Sequence, residues 1–321
     1  MFENIINEIN ASDSILLISH INPDGDTCGS ALAMYIALKN LNKDVDVVCD
    51  SDFNKKLSYL PAFENYNKVD ENKKYDLYIA VDCSDELRLG KYANAFLRAK
   101  KSICIDHHGT NQKYAKINFV NPKAAANCEN VYKLLLELDQ DTPCLNKEIG
   151  ICLYSGIITD SGNFMNSNTT HVTKQIAQEI EEKFDLNTSE IVQHFMNETT
   201  LNVFMLKTRV LAKAKFYEDD TIGLIYFAQE DFKATNTSMP DTEGIINEIR
   251  NIDTIKIAVA VTQVKENDYK VSLRSAPTCR VDRLAASFGG GGHPAAAGFS
   301  IQGNFYDVME RILKACKDYV E

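Results

Sequence analysis

An alternation in the first half of the chain most restricts the fold. Short apolar runs at 14–19 (SILLIS), 44–50 (DVDVVCD), 75–81 (YDLYIAV) and 101–105 (KSICI) read as strands. Segments of helical period separate or follow them: CGSALAMYIALKNL at 28–41, ENVYKLLLELD at 129–139 and NKEIGICLYSGIIT at 146–159. Short strands that are apolar on both faces and separated by helices are joined by crossovers, so the pattern predicts a mainly parallel sheet flanked by helices. His20, Asp82 and Asp106 each directly follow one of these strands. Open parallel sheets bind ligands at the carboxyl ends of their strands, so three distant segments can converge on one crevice.

A second pattern begins after a polar, helical stretch. Strands are expected at TIGLIYFA, TIKIAVAVTQV and YKVSLRS, and helices at TEGIINEIRNI, VDRLAASF and FYDVMERILKACKDYV. The predicted organisation is an α/β domain over 1–185, a helical connection over 186–215 and a second, smaller α/β domain over 216–321. No internal repeat or low-complexity tract interrupts it.

Charge narrows the partners. The net charge is −11, which argues against a long nucleic-acid tract held on a broad basic surface. A small anion held by metal ions or a local basic pocket stays open. The nine cysteines form no CxxC pair, as expected of reduced thiols in a cytoplasmic protein. The N-terminal residues lack the basic and apolar regions of a signal peptide, and no run of 18 apolar residues suggests a membrane span.

Four segments concentrate acidic and imidazole side chains: HINPDGD (20–26), VDCSD (81–85), IDHH (105–108) and TDSG (159–162). Singly, each has an ordinary role. Asp24 and Asp26 could sit in a solvated turn, Asp82 could be a strand-end carboxylate, His107 and His108 loop residues, and Asp160 a turn or cap residue. Together, at strand ends of one domain, they suit divalent cations. Carboxylate and imidazole donors fit Mn²⁺, and also Mg²⁺, Co²⁺ or Fe²⁺. Four aspartates match the charge of two such ions, which one carboxylate can bridge at about 3.5–4 Å separation.

In this order the four segments resemble the signature segments of the DHH phosphoesterase superfamily. The later SLRS (272–275) and FGGGGHPAAAG (288–298) resemble the associated C-terminal domain of one of its branches. The layout is most similar to the bacterial nano-RNase/pAp phosphatase group, which hydrolyses very short oligoribonucleotides and 3′-phosphoadenosine 5′-phosphate (pAp). The resemblance implies that His20 and Asp24 hold one ion, that Asp26, His107 and Asp160 hold the other, and that Asp82 bridges both. It makes His108 the residue nearest the scissile phosphate, a candidate general acid, and Asp106 a carboxylate orienting an imidazole. Asp106 as a helix cap is the competing reading.

In relatives the C-terminal domain grips the nucleotide away from the scissile bond across a cleft. That role transfers to Arg274, Ser275 and His293 and to the backbone of Gly290, Gly291 and Gly292. Viewed alone, the glycine run is a turn between helix and strand and Arg274 a surface ion-pairing residue. The implied activity is two-metal hydrolysis of short single-stranded RNA to mononucleotides and removal of the 3′-phosphate of pAp. The alternative is a stand-alone phosphodiesterase of cyclic dinucleotides or of linear dinucleotides such as pApA. From a different class, a non-catalytic nucleotide-binding protein would keep the fold without turnover. Homodimerisation is a further expectation of the resemblance.

Overall fold

The computed structural model describes residues 2–70, 73–140 and 142–320. The chain divides into two compact units, Met1–Glu198 and Thr199–Glu321. In the first unit, helix α1 (Glu3–Asn10) precedes strand β1 (Ser14–Ser19), helix α2 (Gly25–Asn40) and strand β2 (Asp44–Val48). Strand β3 (Leu77–Val81), helix α3 (Ala93–Arg98), and strands β4 (Ser102–Asp106) and β5 (Ile117–Val120) follow. The sheet runs β2-β1-β3-β4-β5 and every pairing is parallel. Helices α4 (Asn127–Leu138), α5 (Lys147–Asp160), α6 (His171–Phe184) and α7 (Thr188–Val192) complete the unit, with a π-helical turn at Gln193–Asn197.

The period-two alternation of β1 explains why both sheet faces are covered. Ile15 and Leu17 enter the large core beneath α2, α4, α5 and α6. Leu16 and Ile18 enter a smaller core with Leu89 and Phe96, under α3 and the 3-10 segment Glu86–Tyr92. One face is thus thickly clad with helices and the other thinly. Helix α2 starts three residues earlier than its apolar period suggests, because the Asp24 carboxylate accepts from Thr27 N at 2.9 Å and caps it. Strand β5 was not anticipated: INFV is short and half-buried along its length.

The second unit contains helix α8 (Leu201–Leu211), strands β6 (Lys215–Tyr217) and β7 (Ile222–Phe227), helices α9 (Gln229–Thr235) and α10 (Ile245–Arg250), and the hairpin β8 (Ile257–Lys265) and β9 (Asp268–Ser275). Helix α11 (Val281–Ser287), strands β10 (Gly291–His293) and β11 (Ala296–Gln302), and helix α12 (Phe305–Val320) end it. Its sheet runs β10-β11-β9-β8-β7-β6, and only β7 and β8 are parallel. The chain between those two strands carries α9 and α10, as a parallel crossover requires.

Candidate metal centre

The centre sits where the middle strands end. Ser19 pairs with Val81, and Val81 with Ile105, so the residues after β1, β3 and β4 emerge side by side. His20 follows β1, Asp82 follows β3, and His107 and His108 follow β4. Asp82 N still donates to Ile105 O at 2.9 Å, but the residue itself has φ 54°. Left-handed backbone is uncommon outside glycine, and Asp is among the few residues that tolerate it.

Two helices bring the remaining carboxylates. Asp26 lies in the first turn of α2, where the helix dipole favours a negative charge, whereas Asp160 is the last residue of α5, where the dipole disfavours one. Glycines allow α2 and α5 to close up: a Cβ at Gly25 would collide with Thr159, next to Asp160. Asp26 is also pinned across the chain. Its two oxygens accept from Asn127 N at 2.5 Å and Cys128 N at 2.9 Å, the first amides of α4. Asp160 O is held by Asn166 Nδ2 and Asn168 Nδ2 at 3.0 and 3.2 Å.

The donor atoms converge on Asp82. His107 Nε2 lies 3.3 Å from Asp82 Oδ1, 3.4 Å from Asp160 Oδ2 and 3.8 Å from Asp26 Oδ2. His20 Nε2 lies 3.6 Å from Asp82 Oδ2. Donor atoms of His20, Asp24 and Asp82 lie within 4.8 Å of one another, and so do those of Asp26, Asp82 and His107. The two triads share Asp82, the geometry of a carboxylate between two cation positions. The residues fit such ions on one further ground. Asp82 Oδ1 is buried yet receives no hydrogen bond from any described residue, in a protein where buried polar atoms are otherwise nearly all partnered.

Tautomers agree. His107 Nδ1 is 3.1 Å from the Ala124 carbonyl oxygen, an acceptor, so the proton sits on Nδ1 and Nε2 presents its lone pair to the carboxylates. His108 Nδ1 is 2.8 Å from Asp106 Oδ1. Asp106 also accepts from His107 N at 2.8 Å and from Asn111 Nδ2 at 2.6 Å, so its fully buried carboxylate braces the imidazole pair.

Electrostatics register the crowding. Burial, then repulsion from Asp82, pushes the Asp26 carboxyl up to about 7. Burial and Asp26 likewise raise Asp160, with His107 partly opposing. Burial would raise Asp82 too, but the facing imidazoles of His107, His20 and His108 hold it well below the usual carboxylate range. One carboxylate is therefore kept ionised while its neighbours resist ionisation, which is the charge pattern that a cation relieves.

Residues that sequence reasoning missed support this arrangement. Thr27 Oγ1 lies 2.6 Å from both His20 Nε2 and Asp82 Oδ2. Asn111 links Asp106 to the Cys83 carbonyl at 3.1 Å. Thr27 lies one position past the DGD run and Asn111 three past the double histidine, so proximity in sequence was the available signal. Cys128 and Asn127 carried none, since they act through backbone amides.

In the second unit, Arg274 lies near the end of β9, and its Nη1 donates to Leu273 O at 3.0 Å. Burial lowers its guanidinium from the usual value. Ser275 is buried and its hydroxyl donates to Cys279 O at 2.8 Å, which closes a turn. Gly290 N donates to Ala285 O at 2.9 Å and finishes α11, so neither group is unengaged. Gly291, Gly292 and His293 form β10, an exposed edge strand paired with β11. Gly292 has φ 144°, and a Cβ there would lie 2.5 Å from Ala296 O.

Residues 14–157 match the DHH family, N-terminal domain, and residues 224–321 match the DHHA1 domain. The chain is 30% identical over 309 residues to the bifunctional oligoribonuclease and PAP phosphatase NrnA of Thermus thermophilus, covering 95% of this chain and 89% of that protein. Identity to the Bacillus subtilis protein of the same name is 26% over 321 residues, 98% of each. An exopolyphosphatase-related protein from Bacteroides fragilis superposes with a TM-score of 0.89 at 25% identity, covering 99% of this chain and 96% of that one.

Proposed function

The chain belongs to the DHH family, and from that premise we propose that it is a two-metal phosphoesterase working with Mn²⁺. Its substrates are oligoribonucleotides of a few residues, cleaved to mononucleotides, and pAp, from which it removes the 3′-phosphate. The observation that carries this reading is the Asp82 carboxylate: buried, ionised, flanked by three imidazoles and, among the described residues, lacking a hydrogen bond on Oδ1.

His20 and Asp24 are assigned to one ion and Asp26, His107 and Asp160 to the other, with Asp82 shared. When bound, the cations acidify water and offset charge on the phosphoryl oxygens. Asp106 does two things for His108. It orients the ring through Nδ1, and it favours the protonated imidazole against the opposing effect of burial. A protonated His108 suits delivery of a proton to the departing ribose oxygen.

Nucleotide recognition is assigned to Arg274, His293 and the backbone of Gly291 and Gly292. Ser275 and Gly290 serve it by shaping the loop that carries them. The net charge of −11 favours a substrate that needs few basic contacts over a long strand. The reaction is placed in the cytoplasm, in keeping with nine free, buried cysteines. Among the described residues no helix is long and apolar enough to cross a membrane.

The test is a product assay in Mn²⁺ with a labelled RNA dinucleotide, a 24-mer, pAp and cyclic di-AMP. Turnover of the dinucleotide and pAp with the 24-mer nearly intact is expected. Fastest cleavage of cyclic di-AMP would replace the reading with a cyclic-dinucleotide phosphodiesterase.

A further inference from the structure

Beside the centre lies a cation to which no described residue offers an anionic partner. Arg88 sits in the 3-10 segment Glu86–Tyr92 that follows β3, and it is half-buried. Among the described residues no carboxylate lies within ion-pairing distance of its guanidinium; its side-chain neighbour is His20, with Nη2 3.0 Å from Nδ1. Its backbone is fixed. Asp85 Oδ1 accepts from Leu87 N and Arg88 N at 3.0 and 3.2 Å, and Ile21 N donates to Arg88 O at 2.8 Å. Only the side chain is left to move.

A count of protons around His20 shows when it must. Nδ1 has two neighbours: the Ile21 carbonyl oxygen at 2.8 Å, which can only accept, and the Arg88 guanidinium, which can only donate. One ring nitrogen cannot serve both. If Nδ1 is bare, it accepts from Arg88, and Nε2–H donates to Thr27 Oγ1, which donates in turn to Asp82 Oδ2, each at 2.6 Å. Each of these donors then has an acceptor, but Nε2 carries a proton and cannot bind a metal. If Nδ1 carries the proton, it donates to Ile21 O and Nε2 is a ligand, but Arg88 faces a donor.

We propose that Arg88 is a phosphate-binding residue: the tautomer of His20 that leaves Nε2 free as a ligand carries its proton on Nδ1, facing the guanidinium, whose donors then turn to a nonbridging oxygen of the substrate phosphate. The metal-competent tautomer of His20 removes the guanidinium's acceptor, and a half-buried guanidinium demands another. A phosphate is the partner that suits its fork of donors beside a metal centre. This inference rests on the phosphoesterase reading and names a part of the same site.

The test measures three quantities on the full chain and on Arg88→Ala and Arg88→Lys: Mn²⁺ affinity, affinity of the Mn²⁺-loaded protein for inorganic phosphate and AMP, and hydrolysis of pAp. Arg88→Ala is expected to bind Mn²⁺ at least as tightly as the parent, because His20 no longer has a competing donor on Nδ1. Phosphate and AMP should bind about tenfold to a hundredfold more weakly. Arg88→Lys should fall between, since it keeps the charge without the planar fork. Unchanged phosphate affinity in Arg88→Ala overturns the proposal. So does weakened Mn²⁺ binding with phosphate affinity intact, which would make Arg88 a positioner of His20. If Arg88→Ala does not fold, the Lys variant decides by the same criteria. Should the parent bind Mn²⁺ and lose phosphate affinity on substitution, yet hydrolyse neither pAp nor a dinucleotide, the enzymatic reading fails and the role of Arg88 stands.

Discussion

Gly156 in the first unit and Gly291 in the second sit in opposite settings. In the first, Gly156 lies where helix α5 meets α2 and α4: a Cβ there would collide with Cys128 Sγ and come within 3.0 Å of Asp26 Oδ1. In the second, a Cβ on Gly291 would meet nothing within 4 Å, and the strand that holds it is exposed. The first unit fixes a buried set of charges by close packing, and the second presents backbone and side chains on a sheet edge. A centre that must bind ions in fixed geometry needs the former, and a surface that recognises a nucleotide can be built from the latter.

The largest effect is expected at the shared carboxylate. Asp82→Asn should cut hydrolysis of bis-p-nitrophenyl phosphate at least about a hundredfold while the far-ultraviolet circular dichroism stays that of the parent. Retained activity would break the contrast, because the buried centre would not be the reacting one. Next comes Arg274→Ala, which should raise KM for pAp roughly tenfold and leave the small generic diester nearly unaffected. Equal loss on both substrates would mean that Arg274 serves the fold.

The glycines test the contrast directly. Gly156→Ala should cost about 1–3 kcal/mol in urea denaturation and also weaken Mn²⁺ binding, because the intruding methyl displaces Asp26. Gly291→Ala should change stability by less than about 0.5 kcal/mol. A reversal of that order would contradict the packing account.

A smaller effect belongs to the second unit and to pH. Asp231 is buried, which should raise its carboxyl, but hydrogen bonds from Lys213 and Arg209 hold it below the usual range. A depressed folded-state value means that the carboxylate contributes stability above its unfolded value of about 3.9, and that the contribution fades as pH falls through the folded value. Asp231→Asn should therefore lower stability by about 1–2 kcal/mol at pH 7 and progressively less below about pH 4. A gap that widens on acidification would reverse the sign and the explanation.

How much was legible in the sequence differs between the units for a physical reason. Strands β1, β3 and β4 are continuous apolar runs because both faces are buried, and the reactive residues follow them at once, so His20, Asp82, His107 and His108 could be placed by inspection. Asp160 was harder: TDSG reads as a turn, yet the helix extends into it as far as Asp160, because Ser161 N still finds Ile157 O at 3.0 Å. The hold on Asp26 was invisible, since it comes from backbone amides a hundred residues away whose side chains, Asn127 and Cys128, carry no signal. In the second unit Arg274 and the glycine run stood out, but the internal engagement of Ser275 and Gly290 depends on turn closure, which residue type does not encode. Strands β10 and β11 hid in GGHPAAAGFSIQ because their small residues lack the β-branched pattern.

The central claim is that one buried carboxylate joins two cation positions. Calorimetric titration of the metal-free chain with Mn²⁺, alongside Asp82→Asn, tests it most directly. The account predicts two ions per chain for the parent and at most one tight ion for the variant. Two tight ions retained in Asp82→Asn, or a single ion in the parent, would contradict it.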